Sequence, residues 1–362
     1  MTGTPPSFAD TPGSPAAEGP DALSDMLRAV RLTGSVFLSA RFTAPFGVVS
    51  PQRYDERMPM AHLRHISIFH LIAAGGCTVE TASGQRREVK AGDLLLMPFA
   101  DEHKFLNGDA VEMAFASDIV RRGVIEGIWT ANHGGGGAET RMVCGFIESS
   151  EFLFAPLFRS LPELLVERAD EDRIGAMIAS TVREILALVD AARPGTQMML
   201  GRLMELLFVE VLRRHATRLP AGSKGWFAAL NDPVVARALV LVHANPARRW
   251  TADDLAREAG TSRTVLAERF KALLGRPPID YVTSWRIQLA ADRLRNGRDG
   301  IASIAAEVGY ESEAAFNRAF KRVTGITPGR WREGAGDVPA LMPAQLGAAA
   351  APDTAGAARA GE

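Results

Sequence analysis

Between about residues 30 and 155, apolar positions come in short runs separated by turn-forming residues. Ser67-Ile68-Phe69-His70-Leu71-Ile72 precedes Gly75-Gly76, Cys77-Thr78-Val79-Glu80 precedes Ser83-Gly84, and Gly92-Asp93 leads into Leu94-Leu95-Leu96-Met97-Pro98. Runs of this length and spacing predict strands of an antiparallel barrel or sandwich, and Gly134–Gly137 must be a loop. After about residue 155 the period changes. Segments 172–190 and 197–216 carry apolar residues at helical spacing, such as Met199, Leu203, Leu206, Leu207 and Val211, with Arg202, Glu205 and Glu210 between them. Pro220-Ala221-Gly222-Ser223 reads as a linker, and every later segment reads as helical, over about 232–244, 251–259, 262–273, 278–295, 300–307 and 312–323. The pattern predicts an α+β multidomain chain: a β-rich domain over 22–165, a helical connector over 166–225 and an all-α domain over 226–333. Residues 1–21 and 334–362, rich in Pro, Gly, Ser and Ala without periodicity, are expected to be disordered tails.

The all-α part repeats itself. Leu255-Ala256-Arg257-Glu258-Ala259-Gly260 is echoed by Ile304-Ala305-Ala306-Glu307-Val308-Gly309. From Ser262 and Ser312 onward the offset is 50 residues, and the two segments end Phe270-Lys271-x3-Gly275-x2-Pro278 and Phe320-Lys321-x3-Gly325-x2-Pro328. Each unit is a short amphipathic helix, a glycine turn, a serine N-cap and a second helix closed by glycine, which is a helix-turn-helix written twice. Leu266, Phe270 and Leu273, and likewise Phe316, Phe320 and Val323, share core faces. The opposite stripes carry Thr264, Ala267, Glu268 and Lys271, then Ala314, Asn317, Arg318 and Lys321. Small and polar side chains suit a helix laid in the major groove. The segment from Ile279 to Ala291 between the units predicts one long helix holding the two at fixed separation.

The net charge of −1 hides an asymmetry: residues 231–333 hold 17 Lys/Arg against 12 Asp/Glu, a local +5, and the rest hold 24 against 30, a local −6. A basic C-terminal domain permits a nucleic-acid partner without proving one. At 47% hydrophobic and 23% charged residues the chain is neither wholly disordered nor collagen-like. Two cysteines build no disulfide framework, the start lacks the character of a secretory signal, and no apolar run reaches the length of a membrane span. A reducing, cytoplasmic setting without membrane contact is expected.

Residues 231–333 resemble the DNA-binding domain of the AraC/XylS family. The resemblance rests on Trp250-Thr251, Trp285-Arg286 and the string Ile304-Ala305-x3-Gly309-Tyr310-x-Ser312-x3-Phe316-x-Arg318-x-Phe320-Lys321-x3-Gly325-x2-Pro328-x2-Trp331-Arg332. It implies a sequence-specific transcription factor whose two recognition helices enter successive turns of the major groove of double-stranded DNA. The DNA-contacting residues it implies are Arg263, Thr264, Ala267, Glu268 and Lys271 in the first unit, and Glu313, Ala314, Asn317, Arg318 and Lys321 in the second. Glu268 stands where a basic residue is common in the family. A carboxylate there accepts from cytosine N4 but repels phosphates, so the first head is expected to bind less tightly. The resemblance allows RNA polymerase and a second copy of the chain as further partners, with the helices of 172–216 expected either to mediate dimerisation or to lean on the DNA-binding domain.

Gly92-x5-Pro98-x-Ala100-x2-His103-x3-Asn107 fits the second cupin motif, with Ala100 in place of its third fixed residue, a glycine. Together with Thr140-Arg141-Met142-Val143-Cys144-Gly145 and Leu161-Pro162, it makes the N-terminal domain similar to the cupin-type β-barrel sensor of many AraC-family regulators. That resemblance implies binding of a small-molecule effector, with His65, His70 and His103 as candidates. The first metal-binding cupin motif, His-x-His with a glutamate, is not reproduced: His62, His65 and His70 are spaced by 3 and 5. No cofactor is required by this reading. A divalent metal on His62, His65, His70 and His103 is the alternative, and a metal-dependent cupin enzyme using His62, His65 and His103 is the reading from another function class. Cys77 and Cys144 read as buried structural thiols, since a redox sensor needs an exposed thiolate beside a cation and Arg141 is only weak support.

Overall fold

The structure is a computed structural model and describes residues 21–334, except 31, 51–57, 59–62, 64–65, 109–111, 124–125, 150–155, 169–172 and 192. His62, His65 and all but the inner ends of the two expected tails lie outside the described residues.

A helix that the sequence pattern did not predict, α1 (Ala22–Val30), comes first. The β-rich part then runs β1 (Leu32–Thr43), β2 (Phe46–Ser50), β3 (Ile66–Ala74), β4 (Gly76–Thr81), β5 (Arg86–Lys90), β6 (Leu94–Met97), β7 (His103–Asn107) and β8 (Met113–Phe115). A single turn, α2 (Ala116–Ile119), leads to β9 (Val120–Arg122), β10 (Trp129–Gly134) and β11 (Glu139–Ser149), and α3 (Pro156–Arg159) leads to β12 (Leu165–Glu167). The strands form a seven-stranded sheet, β12-β6-β3-β11-β1-β10-β9, and a five-stranded sheet, β5-β4-β7-β2-β8. The cupin-like domain is thus two facing sheets and not one closed ring. Val48, Val79, Met97, Phe105 and Met142 fill the space between them.

The mostly apolar run of β3, interrupted by Ser67 and His70, follows from its place in the middle of the larger sheet, buried on both faces. Alternation sends Ile66, Ile68 and Ile72 into the sandwich, and Phe69 and Leu71 to the outer face. There Phe69 meets Phe208 edge-on, with ring centroids 6.0 Å apart. Phe208 belongs to the connector, α4 (Arg173–Ala191) and α5 (Thr196–Thr217), which lies on that outer face. A buried ion pair, Arg214 Nε to Glu167 at 2.9 Å, ties α5 to β12.

The all-α part comprises α6 (Trp226–Asn231), α7 (Pro233–Ala244), α8 (Ala252–Glu258), α9 (Arg263–Leu274), α10 (Pro278–Asn296), α11 (Ile301–Glu307), α12 (Glu313–Thr324) and α13 (Pro328–Arg332). Tyr281 of α10 ties its first half together: its hydroxyl accepts from Trp226 Nε1 at 3.0 Å and lies 2.8 Å from His243 Nε2. One core runs from the outer sheet face through α4 and α5 into α6–α9 and the first half of α10. A separate core occupies the second half of α10 with α11–α13. In space α1 packs against α7 and α10, with Leu23 and Met26 buried in the first of these cores.

Candidate functional site

Two surfaces carry the chemistry expected from the sequence. The first is the pair of helix-turn-helix units, α8–α9 and α11–α12. The second helices begin alike: Ser262 accepts from the Val265 N–H and Ser312 from the Ala315 N–H, satisfying donors that a helix start leaves open. They also end alike, on Gly275 and Gly325 in left-handed conformation. Leu266 and Phe270 in α9, and Phe316 and Phe320 in α12, are fully buried. That rotation leaves Arg263, Thr264, Glu268 and Lys271 of α9, and Glu313, Ala314, Arg318 and Lys321 of α12, exposed, with Ala267 and Asn317 half-buried beside them.

All ten expected DNA contacts therefore lie on the two helices, on the side away from the cores. Arg263 pairs with Asp253 of α8 at 3.3 Å. Glu311, a possible surface partner for Arg318, is instead paired with Arg249, and Arg318 has no ion pair among the described residues. Its guanidinium projects from α12 uncommitted.

Sequence reasoning missed the part that sets the two units against each other. Arg286, midway along α10, donates from Nε to the Pro246 carbonyl oxygen at 2.7 Å and from Nη2 to that of Arg248 at 2.7 Å, both in the loop entering the first unit. From Nη1 it donates to the Gly309 carbonyl oxygen in the turn of the second, at 2.9 Å. The signal was the arginine of the Trp285-Arg286 pair. Its acceptors are backbone oxygens, which no side-chain pattern reveals.

The second surface lies inside the sandwich. His70 on β3 and His103 at the start of β7 come from opposite sheets, and their Nε2 atoms meet at 2.9 Å. His103 Nδ1 lies 2.8 Å from the Asp101 carbonyl oxygen, and His70 Nδ1 lies 3.0 Å from Cys144 Sγ on the neighbouring strand β11. A carbonyl only accepts, so His103 carries its proton on Nδ1 and accepts at Nε2. His70 must then donate from Nε2 and accept from the Cys144 thiol. The protons thus form one directed chain, from Cys144 through both histidines to Asp101. Phe105 packs edge-on against both rings.

Both imidazoles are held neutral. Burial, and then the facing His103, push His70 well below the ordinary histidine value; burial pushes His103 down to about 4 against the opposing pull of Asp101 and Glu163. Burial also raises both thiols, Cys77 to about 12, and Cys144 further. Strand alternation sends Arg141 to the opposite face of the sheet from Cys144, so the arginine does not activate the thiol. Ala100, in the motif's glycine position, has φ of 50°, a conformation natural to glycine.

These residues do not fit a metal as arranged. Two nitrogens on one tetrahedral ion at bonds of about 2.0–2.1 Å stand farther apart than the His70–His103 contact, and Cys144 faces the other nitrogen of His70. Among the described residues no group of three or more His, Cys, Asp or Glu is arranged to hold a metal. No helix among them is long and apolar enough to cross a membrane.

A family model described as Cupin matches residues 21–217, and one described as Helix-turn-helix domain matches residues 255–334. An AraC-like transcription regulator of Streptomyces lividans is 48% identical over 159 residues, 43% of this chain and 52% of that protein; the chain spans about half of that relative's length. The HTH-type transcriptional regulator AlkR of Acinetobacter baylyi is 29% identical over 274 residues, 74% of this chain and 87% of its own. Among solved structures, ToxT from Vibrio cholerae aligns over 84% of this chain and 98% of its own at 13% identity, with a TM-score of 0.34. With its cupin match over more than half of the sequence and its helix-turn-helix match over the C-terminal repeat, the chain belongs to the AraC/XylS family of transcriptional regulators, in the group with an N-terminal cupin domain.

Proposed function

We propose that the protein is a one-component transcription regulator that reads double-stranded DNA with α9 and α12 and responds to a small-molecule effector through its cupin domain. One observation carries the reading: two serine-capped, glycine-closed helices, 50 residues apart in sequence, each expose a small and polar stripe and are braced by a single arginine on the helix between them. Thr264, Ala267, Glu268, Glu313, Ala314, Asn317 and Arg318 are the base readers in this proposal, and Arg263, Lys271 and Lys321 meet phosphate. The metal-dependent enzyme reading draws on His62, His65 and His103, of which only His103 is described, and there it is engaged with His70.

The proposal places the protein in the cytoplasm, beside RNA polymerase. A second copy would meet the exposed Met198, Met199 and Leu206 of α5, which sedimentation of Met198→Glu and Leu206→Glu variants would show as loss of a dimer.

Selection of bound duplexes from a random pool by the full-length protein tests the reading. The expected result is an enriched motif of two half-sites about one helical turn apart, bound with an affinity that falls steeply with salt. No enriched motif at any salt concentration overturns it.

A further inference from the structure

The outer face of the seven-stranded sheet holds an arrangement that strand pairing alone would disfavour. Arg41 on β1 lies directly opposite Arg141 on β11, and like charges in that position destabilise a ladder. On the other side of β1, Arg41 is in register with Asn132 and Ser39 with Thr130, both on β10. Arg141 is neutralised by Asp190 at the end of α4, to which both its terminal nitrogens donate. Arg41 is exposed and has neither hydrogen bond nor ion pair among the described residues. Two guanidinium groups thus face one carboxylate, with Glu139 as the only further acidic group acting on Arg141 among the described residues. The Arg141 Nε is buried without a hydrogen-bond partner.

Around this pair opens a cleft of about 340 Å³ between the sheet and the end of α4, at the small end of the range of roughly 300–1,000 Å³ usual for ligand sites. Its charged wall is Arg41 and Arg141, its uncharged polar groups are Ser39, Thr130 and Asn132, and Ile128 and Val189 supply apolar surface. Inside the sandwich, among the described residues, the histidine pair is bonded to itself and surrounded by apolar side chains.

We propose that this cleft is the effector site and that its ligand is a small organic carboxylate. The carboxylate lies between Arg41 and Arg141, the apolar body rests on Ile128 and Val189, and Ser39, Thr130 and Asn132 take polar substituents. Asp190 is the resident counter-ion that the ligand displaces from Arg141. Release of Asp190 frees the end of α4, which packs on α5, and α5 in turn touches both β1 and α6 at the entrance to the first DNA-binding unit. The assignment as effector site rests on the regulator reading above, but the binding chemistry does not.

Isothermal titration of the full-length protein with benzoate and hexanoate tests it, with benzamide and inorganic phosphate as controls. At least one acid should bind saturably with Kd of about 1 mM or tighter, and the controls should bind at least about tenfold more weakly. Arg41→Gln should lower the affinity by roughly tenfold or more without lowering the ligand-free melting temperature, because among the described residues Arg41 makes no side-chain bond and its loss relieves the repulsion from Arg141. Asp190→Asn should tighten binding by removing the competing carboxylate. Failure of both acids to saturate, equal binding of phosphate, or an unchanged affinity in Arg41→Gln overturns the proposal. A gel shift on the same preparations separates the two readings: DNA binding without acid binding sinks the cleft alone, and acid binding without DNA binding sinks the regulator reading alone.

Discussion

The guanidinium of Arg286 and the carbonyl of Gly309 are joined across the interface between the two DNA-binding units by a hydrogen bond of 2.9 Å. The other two nitrogens of that guanidinium are spent on Pro246 and Arg248 in the first unit, so one planar group fixes the angle between two reading heads. Lysine cannot copy a three-way fork. Arg286→Lys is expected to cost about 1.5–3 kcal/mol in urea unfolding and to weaken binding to a two-half-site duplex more than to a single half-site. Equal losses on both duplexes would show that the brace does not set the spacing.

Arg318 points away from Phe316 and Phe320 and, among the described residues, has no ion pair to give up. If it reads guanine through O6 and N7, Arg318→Ala should weaken specific binding by roughly 5- to 150-fold and relax preference at one operator position. If Lys321 meets phosphate as proposed, Lys321→Ala should instead weaken binding evenly across sequences and lower the salt slope by about one unit. A titration series at several salt concentrations on cognate and scrambled duplexes distinguishes the two behaviours. Unchanged affinity and selectivity in Arg318→Ala would remove α12 as a reading head.

The neutral histidine pair makes the sandwich sensitive to acid. Because His70 and His103 titrate lower in the folded protein than in the unfolded chain, the unfolded state binds more protons once pH falls below about 6.5. Their stabilising effect is complete above that value and is lost as pH falls toward about 4, the folded value of His103. The loss for a single histidine is about 1.4 kcal/mol per pH unit inside that window. His243, shifted the same way to about 3 by burial, adds to the slope. Urea melts at pH 7 and pH 5 should therefore show a smaller pH dependence in a His70→Asn, His103→Asn double variant than in the parent, with the His243 contribution remaining in both. Identical slopes would contradict the buried neutral pair.

Gly309 and Gly325 both have positive φ, 89° and 83°, yet they should answer differently to alanine. A Cβ on Gly325 meets nothing within 4 Å, whereas one on Gly309 falls 2.5 Å from the Ala247 carbonyl oxygen. Gly325→Ala should cost only the backbone strain, about 1–2 kcal/mol. Gly309→Ala should cost more, because Ala247 belongs to the loop that Arg286 also grips, and denaturant midpoints of the two variants measure the difference.

Most of the helices were legible because their period, caps and terminators agree. Ser262 and Ser312 start their helices as read, and Gly275 and Gly325 end them. The helix α1 was missed although Ala22, Leu23, Met26 and Leu27 fall on one face. At nine residues it is too short to stand out beside a Pro- and Gly-rich segment, and its partners lie some 200 residues away. His70 and His103 were singled out and do come together. Cys144 as the third member was not, since register between strands 74 residues apart is set by the assembled sheet. The Arg41–Arg141 pair was hidden for the same reason: each is an ordinary surface arginine until pairing sets them face to face.

The division of the apolar side chains among three cores determines how the molecule melts. The first reading head shares its interior with the connector and the outer sheet face, so it cannot unravel without exposing Phe69, Phe208 and Trp226 in the same event. The second head has an interior of its own, around Phe316, Phe320 and Trp331, joined to the rest through α10 and the grip of Arg286. Warming should thus release α11–α13 as a separate calorimetric transition while α9 still stands on the folded sensor. A protein in that half-melted condition would hold one half-site and lose the other, so heat would shorten the DNA sequence it recognises before abolishing recognition.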